Sequence, residues 1–343
     1  MRSFLIRRWF LVLLAIVLAV GVLGAEHLQP LVEIAAIRSA IVFTVLFLMA
    51  FPLTAGAIWN SLTRPTAPLL ASGINYLVLP LMAWGLAPLL SAAGVSDNMV
   101  FGILVAAATP STLASASVWT RRAGGNDAVS MMVTIITNAL CFLITPMWLT
   151  MMIGFEPGRA KDLFDPVEMI QKLALLVVLP MVIAQLLRLS PPVGRFATRN
   201  KTPMGVLAQF GVLSMIFLGS IQTGVRIAAA DGQSMVLVEI AVAIVVVVSL
   251  HVSTLLLGVG LARRLGINRA DAIAVGISGS QKTLMVGLTV AIDLRYSVVP
   301  IVAYHVGQLL IDTVVADRYR HRTEELEQAE QQALSSSAVA TEE

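Results

Sequence analysis

Apolar residues in this chain come in runs of about twenty, separated by short polar joints, from the first residues almost to the last. Runs of that length match the hydrocarbon thickness of a bilayer. They lack the period-two alternation of a barrel strand. The runs predict ten membrane-spanning helices, over 9–24, 37–59, 67–92, 98–120, 127–153, 166–188, 203–225, 234–262, 270–293 and 297–316. The connections are short and leave little chain for a soluble domain. The last stretch, 317–343, is polar and acid-rich, and predicts a frayed helix followed by disorder.

Ten spans divide into five and five at the mixed-charge stretch "GFEPGRAKDLFDP". Five is odd, so the second half, 154–316, enters the membrane upside down relative to the first, 1–153. Inverted repeats of this kind build many secondary transporters, and their substrate sites lie where corresponding spans are broken. The fourth span of each half carries such a pattern. The first reads "VAAATPSTLASASVWTRR": Pro110 removes a backbone hydrogen bond, and Thr109, Ser111, Thr112, Ser115 and Ser117 crowd around it. The second, span nine, reads "AVGISGSQKTLMVGL", where Gly276, Gly279 and Ser280 weaken the helix. Ordinary close packing of small residues accounts for Ser115 or Gly276. It accounts poorly for Pro110 among five hydroxyls, and not for Lys282.

Composition sharpens the class. Of 343 residues, 57% are hydrophobic and 13% charged, about half the charged share of a soluble domain. The net charge of +3 does not imply nucleic acid, because the excess sits beside apolar runs, where Lys and Arg orient membrane proteins. With the N-terminus cytoplasmic, sixteen basic residues fall inside: Arg2, Arg7, Arg8, Arg64, Arg121, Arg122, Arg188, Arg195, Arg199, Lys201, Arg263, Arg264, Arg269, Arg318, Arg320 and Arg322. Five fall on the other side: Arg38, Arg159, Lys161, Arg226 and Arg295. The single cysteine, Cys141, offers no internal disulfide and no cysteine-based metal site. The first span also has a signal peptide's basic start and small-residue end. Ten equal-halved spans favour its retention. Short loops and a basic start suit a bacterial inner membrane, with both termini cytoplasmic.

Charge inside the spans is the candidate chemistry. A lysine near the bilayer centre costs roughly 2.5–3.5 kcal/mol on insertion scales. Lys282 sits about midway along span nine. It could snorkel, pair with a carboxylate as a fixed structural cation, or attract an anionic substrate and exchange a proton. In the last span, His305, Gln308 and Asp312 fall at i, i+3 and i+7, on one helical face. Glu239 and His251 are further intramembrane candidates, with Glu239 near the outer end. Glu168 and Lys172, at i and i+4, read as an ordinary ion pair. Asn75, Ser130, Thr134, Thr137 and Asn138 add oxygens that singly suit interhelical bonds and together suit a polar cavity.

Three stretches resemble the bile acid:sodium symporter superfamily, in its SBF-like branch. They are "NYLVLPLMAW", "ATPSTLASASVWTRRAGGNDAVSMMVTIITNALCFLITP" and "GISGSQKTLMVG". The resemblance implies an all-α polytopic fold of ten helices in two inverted five-helix repeats, with broken helices four and nine crossing near the midplane. It implies spans three to five and eight to ten moving against spans one, two, six and seven, and organic anions as substrates. Carried over by position, Asn75, Ser117, Ser130, Thr134 and Gln281 match sodium-site positions of the family. Sodium-coupled members have a glutamate where this chain has Ile277, and an asparagine where it has Lys282. Losing a carboxylate and gaining an ammonium removes what a sodium ion needs.

The expected protein is therefore a sodium-independent secondary transporter of a small organic anion in a lipid bilayer. Lys282 replaces a bound cation, and transport is either coupled to the proton, through His305 and Asp312, or uncoupled. The expected substrate contacts are Thr112, Ser115, Gln281, Lys282 and Thr283. No catalytic, metal or cofactor site is expected. A non-transporting regulator or scaffold sharing the fold, and an arsenite-type efflux carrier, are the alternatives. The efflux carrier suffers from Cys141 lying in the fifth span.

Overall fold

The computed structural model describes residues 9–53, 65–113, 115–153, 165–229 and 233–342, whose regular elements are all helices, with no strand among them. Arg2, Arg7, Arg8, Arg64, Arg159 and Lys161, and the joint between the expected halves, lie outside the described residues. The chain opens with α1 (Trp9–Leu23), α2 (Ala25–Glu33) and α3 (Ala35–Ala50). There follow α4 (Thr66–Gly73), α5 (Leu79–Ala92), α6 (Asp97–Ala108), α7 (Ser115–Arg122) and α8 (Asp127–Ile153). Next come α9 (Pro166–Leu173), α10 (Leu179–Arg188), α11 (Pro191–Arg199) and α12 (Lys201–Ala229). The rest is α13 (Gln233–Arg264), α14 (Arg269–Ser280), α15 (Leu284–Asp293) and α16 (Val299–Glu342).

Six helices are long and apolar enough to cross a bilayer when α4–α5 and α9–α10 are each counted as one, and α1 with α2 makes a seventh. That pair bends by 102° at Gly24, so the first span turns into a short amphipathic helix that the apolar pattern did not announce. The fourth and ninth expected spans are each split: α6 stops before Thr109 and α14 stops before Gln281. Neither half alone reaches across a bilayer.

Two other spans are widened rather than broken. A π turn at Ile74–Val78 joins α4 to α5, and another at Ala174–Val178 joins α9 to α10. Each runs into a Leu-Pro pair, Leu79-Pro80 and Leu179-Pro180. A proline ring crowds the carbonyl four residues back and brings no N–H for it, and a wider turn relieves both problems. At the first π turn, side chains take up the carbonyls. Trp148 Nε1 donates to Tyr76 O at 2.6 Å, and Lys282 Nζ donates to Asn75 O at 2.7 Å.

Packing gathers the helices into two groups. In one, α12 runs along α1, α2 and α3, with α10 against α3. In the other, α13 lies along α14 and α16, α14 along α4 and α8, and α6 along α5 and α16. Lipid gives helices no hydrophobic reason to associate, so close approach of small residues matters. Gly258 and Gly276 face each other across α13 and α14, and a Cβ on Gly276 would lie 2.9 Å from Leu255 O. Two matching turns brace one end of the second group. "RRAGGN" and "RRLGIN" each place a glycine in the left-handed region, Gly124 at φ 74° and Gly266 at φ 72°. Asn126 ties them together, its N–H donating to Ala270 O at 3.0 Å and its Nδ2 to Asp271 Oδ1 at 2.8 Å.

Two expectations are corrected here. The tail does not fray: α16 continues to Glu342, through a segment with no Gly or Pro and many strong helix formers. Lys172 does not pair with Glu168. Its Nζ lies 2.6 Å from Asp293 Oδ2, on α15, because a partner from another helix is closer than the next turn of its own. Glu239 accepts from Ser96 N and Oγ, at 3.2 and 2.6 Å.

Candidate functional site

The two helix interruptions, Thr109–Leu113 and Gln281–Thr283, lie against each other. Thr283 N donates to Pro110 O at 2.8 Å, and Ser111 Oγ donates to Ser278 O at 2.8 Å. A broken helix leaves carbonyls without partners, and a buried unpaired carbonyl is costly where no water reaches. Several of the polar side chains that stood out in the sequence answer them.

At the first break, Thr145 Oγ1 donates to Ala108 O, Lys282 Nζ to Thr109 O, Asn138 Nδ2 to Ser111 O and Thr134 Oγ1 to Thr112 O. At the second, Asn75 Nδ2 donates to Gly279 O and Gln281 O, Tyr304 OH to Ser280 O and Gln308 Nε2 to Lys282 O. Gln308 Oε1 also accepts from Lys282 N at 2.8 Å, so one amide clamps the extended residue from both sides.

Lys282 is buried with its nitrogen inside the packing. Nζ meets Asn75 O and Thr109 O at 2.7 Å each and Asn75 Oδ1 at 3.3 Å, with the Tyr76 ring centroid 5.7 Å away. The three oxygens match the three N–H groups of an ammonium. One of them, Thr109 O, stands at the C-terminal end of α6, where the helix dipole favours a cation. Lys282 does not snorkel.

A second buried chain of bonds runs through Gln281. Its Oε1 accepts from Thr112 Oγ1 at 2.6 Å and Ser115 Oγ at 2.9 Å, and its Nε2 donates to Asp312 Oδ2 at 2.5 Å. Asp312 Oδ1 lies 3.1 Å from His251 Nε2, and His251 Nδ1 lies 3.3 Å from Ser280 O. Asp312 is fully enclosed rather than facing water. The sequence marked both residues but did not join them, since 61 positions separate them. It also missed Gln308 as the clamp and Tyr304 as a cap. An aromatic hydroxyl amid apolar neighbours in "PIVAYHVGQ" was the signal that could have found the cap.

A cavity of about 830 Å³ opens beside the interruptions. One wall is Phe10 of α1, Met49 of α3 and Val212 of α12; the other is Val118 and Trp119 of α7, Leu284 and Met285 of α15, and Leu309 of α16. Thr112, Ser115, Thr283 and His305 gather at its deep end, where α7 and α15 begin. Arg122 stands at the rim, paired to Asp317 at 2.7 Å. The walls are apolar and the deep end carries hydroxyls, an imidazole and two helix N-termini, which favour negative charge.

The expected site residues thus divide. Thr112, Ser115, Thr283 and His305 line the cavity. Asn75, Gln281, Lys282, Thr134 and Asp312 lie behind its wall, in the bonds described above. Ser130 is buried, and its Oγ has no hydrogen-bond partner among the described residues. Ser117 is half-buried two residues beyond Ser115, on another side of α7.

The SBF-like CPA transporter family matches residues 4–321. "Uncharacterized protein PA2026" of Pseudomonas aeruginosa is 27% identical over 285 residues, 81% of this chain and 83% of that protein. A protein of Escherichia coli (strain K12) that bears a symporter's name, YfeH, is 27% identical over 252 residues, 71% of this chain and 72% of its own. Sodium/bile acid cotransporter 7 of Rattus norvegicus is 23% identical over 327 residues, 90% of this chain and 91% of its own.

Proposed function

Since the chain belongs to the SBF-like CPA transporter family, we propose that it carries a small organic anion across the membrane by alternating access. The observation that supports this most is the cavity. It has room for a drug-sized or sterol-sized molecule, apolar walls for a hydrocarbon body, and two helix N-termini with Thr112, Ser115, Thr283 and His305 for an anionic head. The rat relative's name points to bile acid, a molecule with such a body and head. In this reading the ten spans form two inverted five-helix repeats, 1–153 and 154–316, with a polar tail at 317–343. The termini are cytoplasmic and the membrane is a bacterial inner one, on the sixteen-to-five bias of basic residues.

The sodium in that relative's name does not carry over. Lys282 serves as a built-in cation at the crossing of the interruptions, held by three neutral oxygens, and Ile277 supplies no carboxylate. Gln281 and Lys282 act from behind the wall: one holds the cavity hydroxyls, the other supplies fixed positive charge. Coupling falls to the proton, with His305 at the cavity and Asp312 at the far end of the Gln281 amide.

A thermal-shift screen of the purified protein, against bile-acid conjugates and small carboxylates at two pH values, tests the reading. At least one anion raises the melting temperature, and replacing potassium by sodium changes nothing. A melting temperature that responds to sodium and to no anion would sink it.

A further inference from the structure

Helices α3 and α15 stand on opposite walls of the cavity, yet the same two helices are tied together at their other ends. On α3, Met49 lines the cavity and Arg38 lies eleven positions earlier, roughly 16 Å away along the axis. On α15, Leu284 and Met285 line the cavity, and Asp293 ends the helix nine positions beyond Leu284, roughly 13 Å away. At that far end Arg38 Nη2 lies 3.7 Å from Asp293 Oδ1, and Lys172 Nζ, on α9, lies 2.6 Å from Asp293 Oδ2. α15 packs against α6 and α16 of one group and against α12 and α3 of the other, and the ionic bridge adds to those contacts at the end away from the cavity.

The bridge is placed for its partners rather than for its own helix. A carboxylate at a helix C-terminus opposes the dipole, so Asp293 weakens α15 unless cations answer it. Both answering cations come from other helices: Arg38 from α3, in the group around α12, and Lys172 from α9, which packs against α8. The side chains retain 17% exposure for Arg38, 23% for Asp293 and 37% for Lys172, so the cluster is partly open rather than sealed. A void of about 10 Å³, scarcely a water's worth, remains among them beside Ser39 and Thr289. Among the described residues, two cations face this one carboxylate.

We propose that Arg38, Lys172 and Asp293 form an ionic latch that holds this end shut while the cavity is open at the other. Arg38 and Lys172 double as a docking pair for the negative group of an arriving anion, with Asp293 filling that place in the latched state. Releasing Asp293 lets α15 swing away from α3 and α9 here and closes the cavity beyond the interruptions. The latch rests on the alternating-access reading above, and the docking pair on the anionic substrate.

Single-cysteine labelling tests this on the purified full-length protein in detergent, with a membrane-impermeant maleimide. The one native cysteine, Cys141, is buried, so an introduced thiol reports alone. Ser39→Cys reports the latch and Val118→Cys the cavity. In the parent protein Val118→Cys reacts fast and Ser39→Cys slowly. Asp293→Asn raises the Ser39→Cys rate about fivefold and lowers the Val118→Cys rate, as expected for losing two partly exposed ion pairs. Reversing the second pair, Lys172→Asp with Asp293→Lys, in the Arg38→Gln background returns the rates to those of Arg38→Gln alone. Taurocholate, the anionic probe, raises the Ser39→Cys rate in the parent, and this rise disappears when Arg38→Gln is combined with Lys172→Gln. Unchanged rates in Asp293→Asn, or a rise at Ser39→Cys with no fall at Val118→Cys, overturn the latch; should Asp293→Asn fail to fold, Arg38→Gln gives the same two readings. Labelling needs no transported substrate, so a failed anion screen still leaves the latch decided, and a failed latch leaves the anion reading standing.

Discussion

At the scale of single residues, Lys282 fills a gap in the backbone's hydrogen bonding. Replacing it by Met strands Thr109 O and Asn75 O, and stability falls by about 2–3 kcal/mol in a denaturant titration. Lys282→Ala leaves a hole of ammonium size lined by oxygen. If the side chain stands in for an ion, sodium or ammonium at high concentration raises the melting temperature of Lys282→Ala and leaves the parent unmoved. A variant as indifferent to both ions as the parent would show that the nitrogen is mere packing. Sequence alone made Lys282 conspicuous, because a charge deep in an apolar run is rare. It could not say which oxygens the nitrogen would meet, since Asn75 lies 207 positions away. Asp312 was harder still: its neighbours in the chain suggested a helix end near water, and only the fold encloses it against His251 and Gln281.

At the scale of elements, the breaks in the fourth and ninth spans were legible from Pro110 and from the glycines before Gln281, because local chemistry decides where a helix stops. The bend at Gly24 and the two π turns were not. The bend answers to a neighbour: Val22 and Ala25 press on α12 at Gly224, where an added Cβ would lie 2.5 Å from Val22 O; the π turns follow from prolines, and a proline by itself does not say whether a helix widens, kinks or stops. The helix glycines also divide by neighbour. A methyl at Gly276 would meet Val259 Cγ2 at 2.4 Å as well as Leu255 O, so Gly276→Ala costs about 1–3 kcal/mol in thermal or chemical unfolding. At Gly85, on α5, a methyl would meet no atom within 4 Å, and Gly85→Ala leaves the melting temperature unchanged or slightly raised.

At the scale of the whole molecule, the count of spans came from hydropathy, whereas the grouping of helices around α12 and around α13 and α14 depends on contacts that no periodicity encodes. The cavity between the groups is the feature most open to test. Filling it with Leu309→Trp abolishes the thermal shift given by any anion that binds there and leaves the melting temperature without ligand nearly unaltered; a retained shift would move the binding place elsewhere. The interruptions themselves look like natural hinges, yet the carbonyls around them are held by side chains from the π turn after α4, from α8 and from α16. Such a crossing is stiff. Amide protons there should exchange with solvent as slowly as those of uninterrupted helix, and whatever travel the cargo makes must come from whole slabs of the protein sliding past one another, with the kinked segments riding along as passengers.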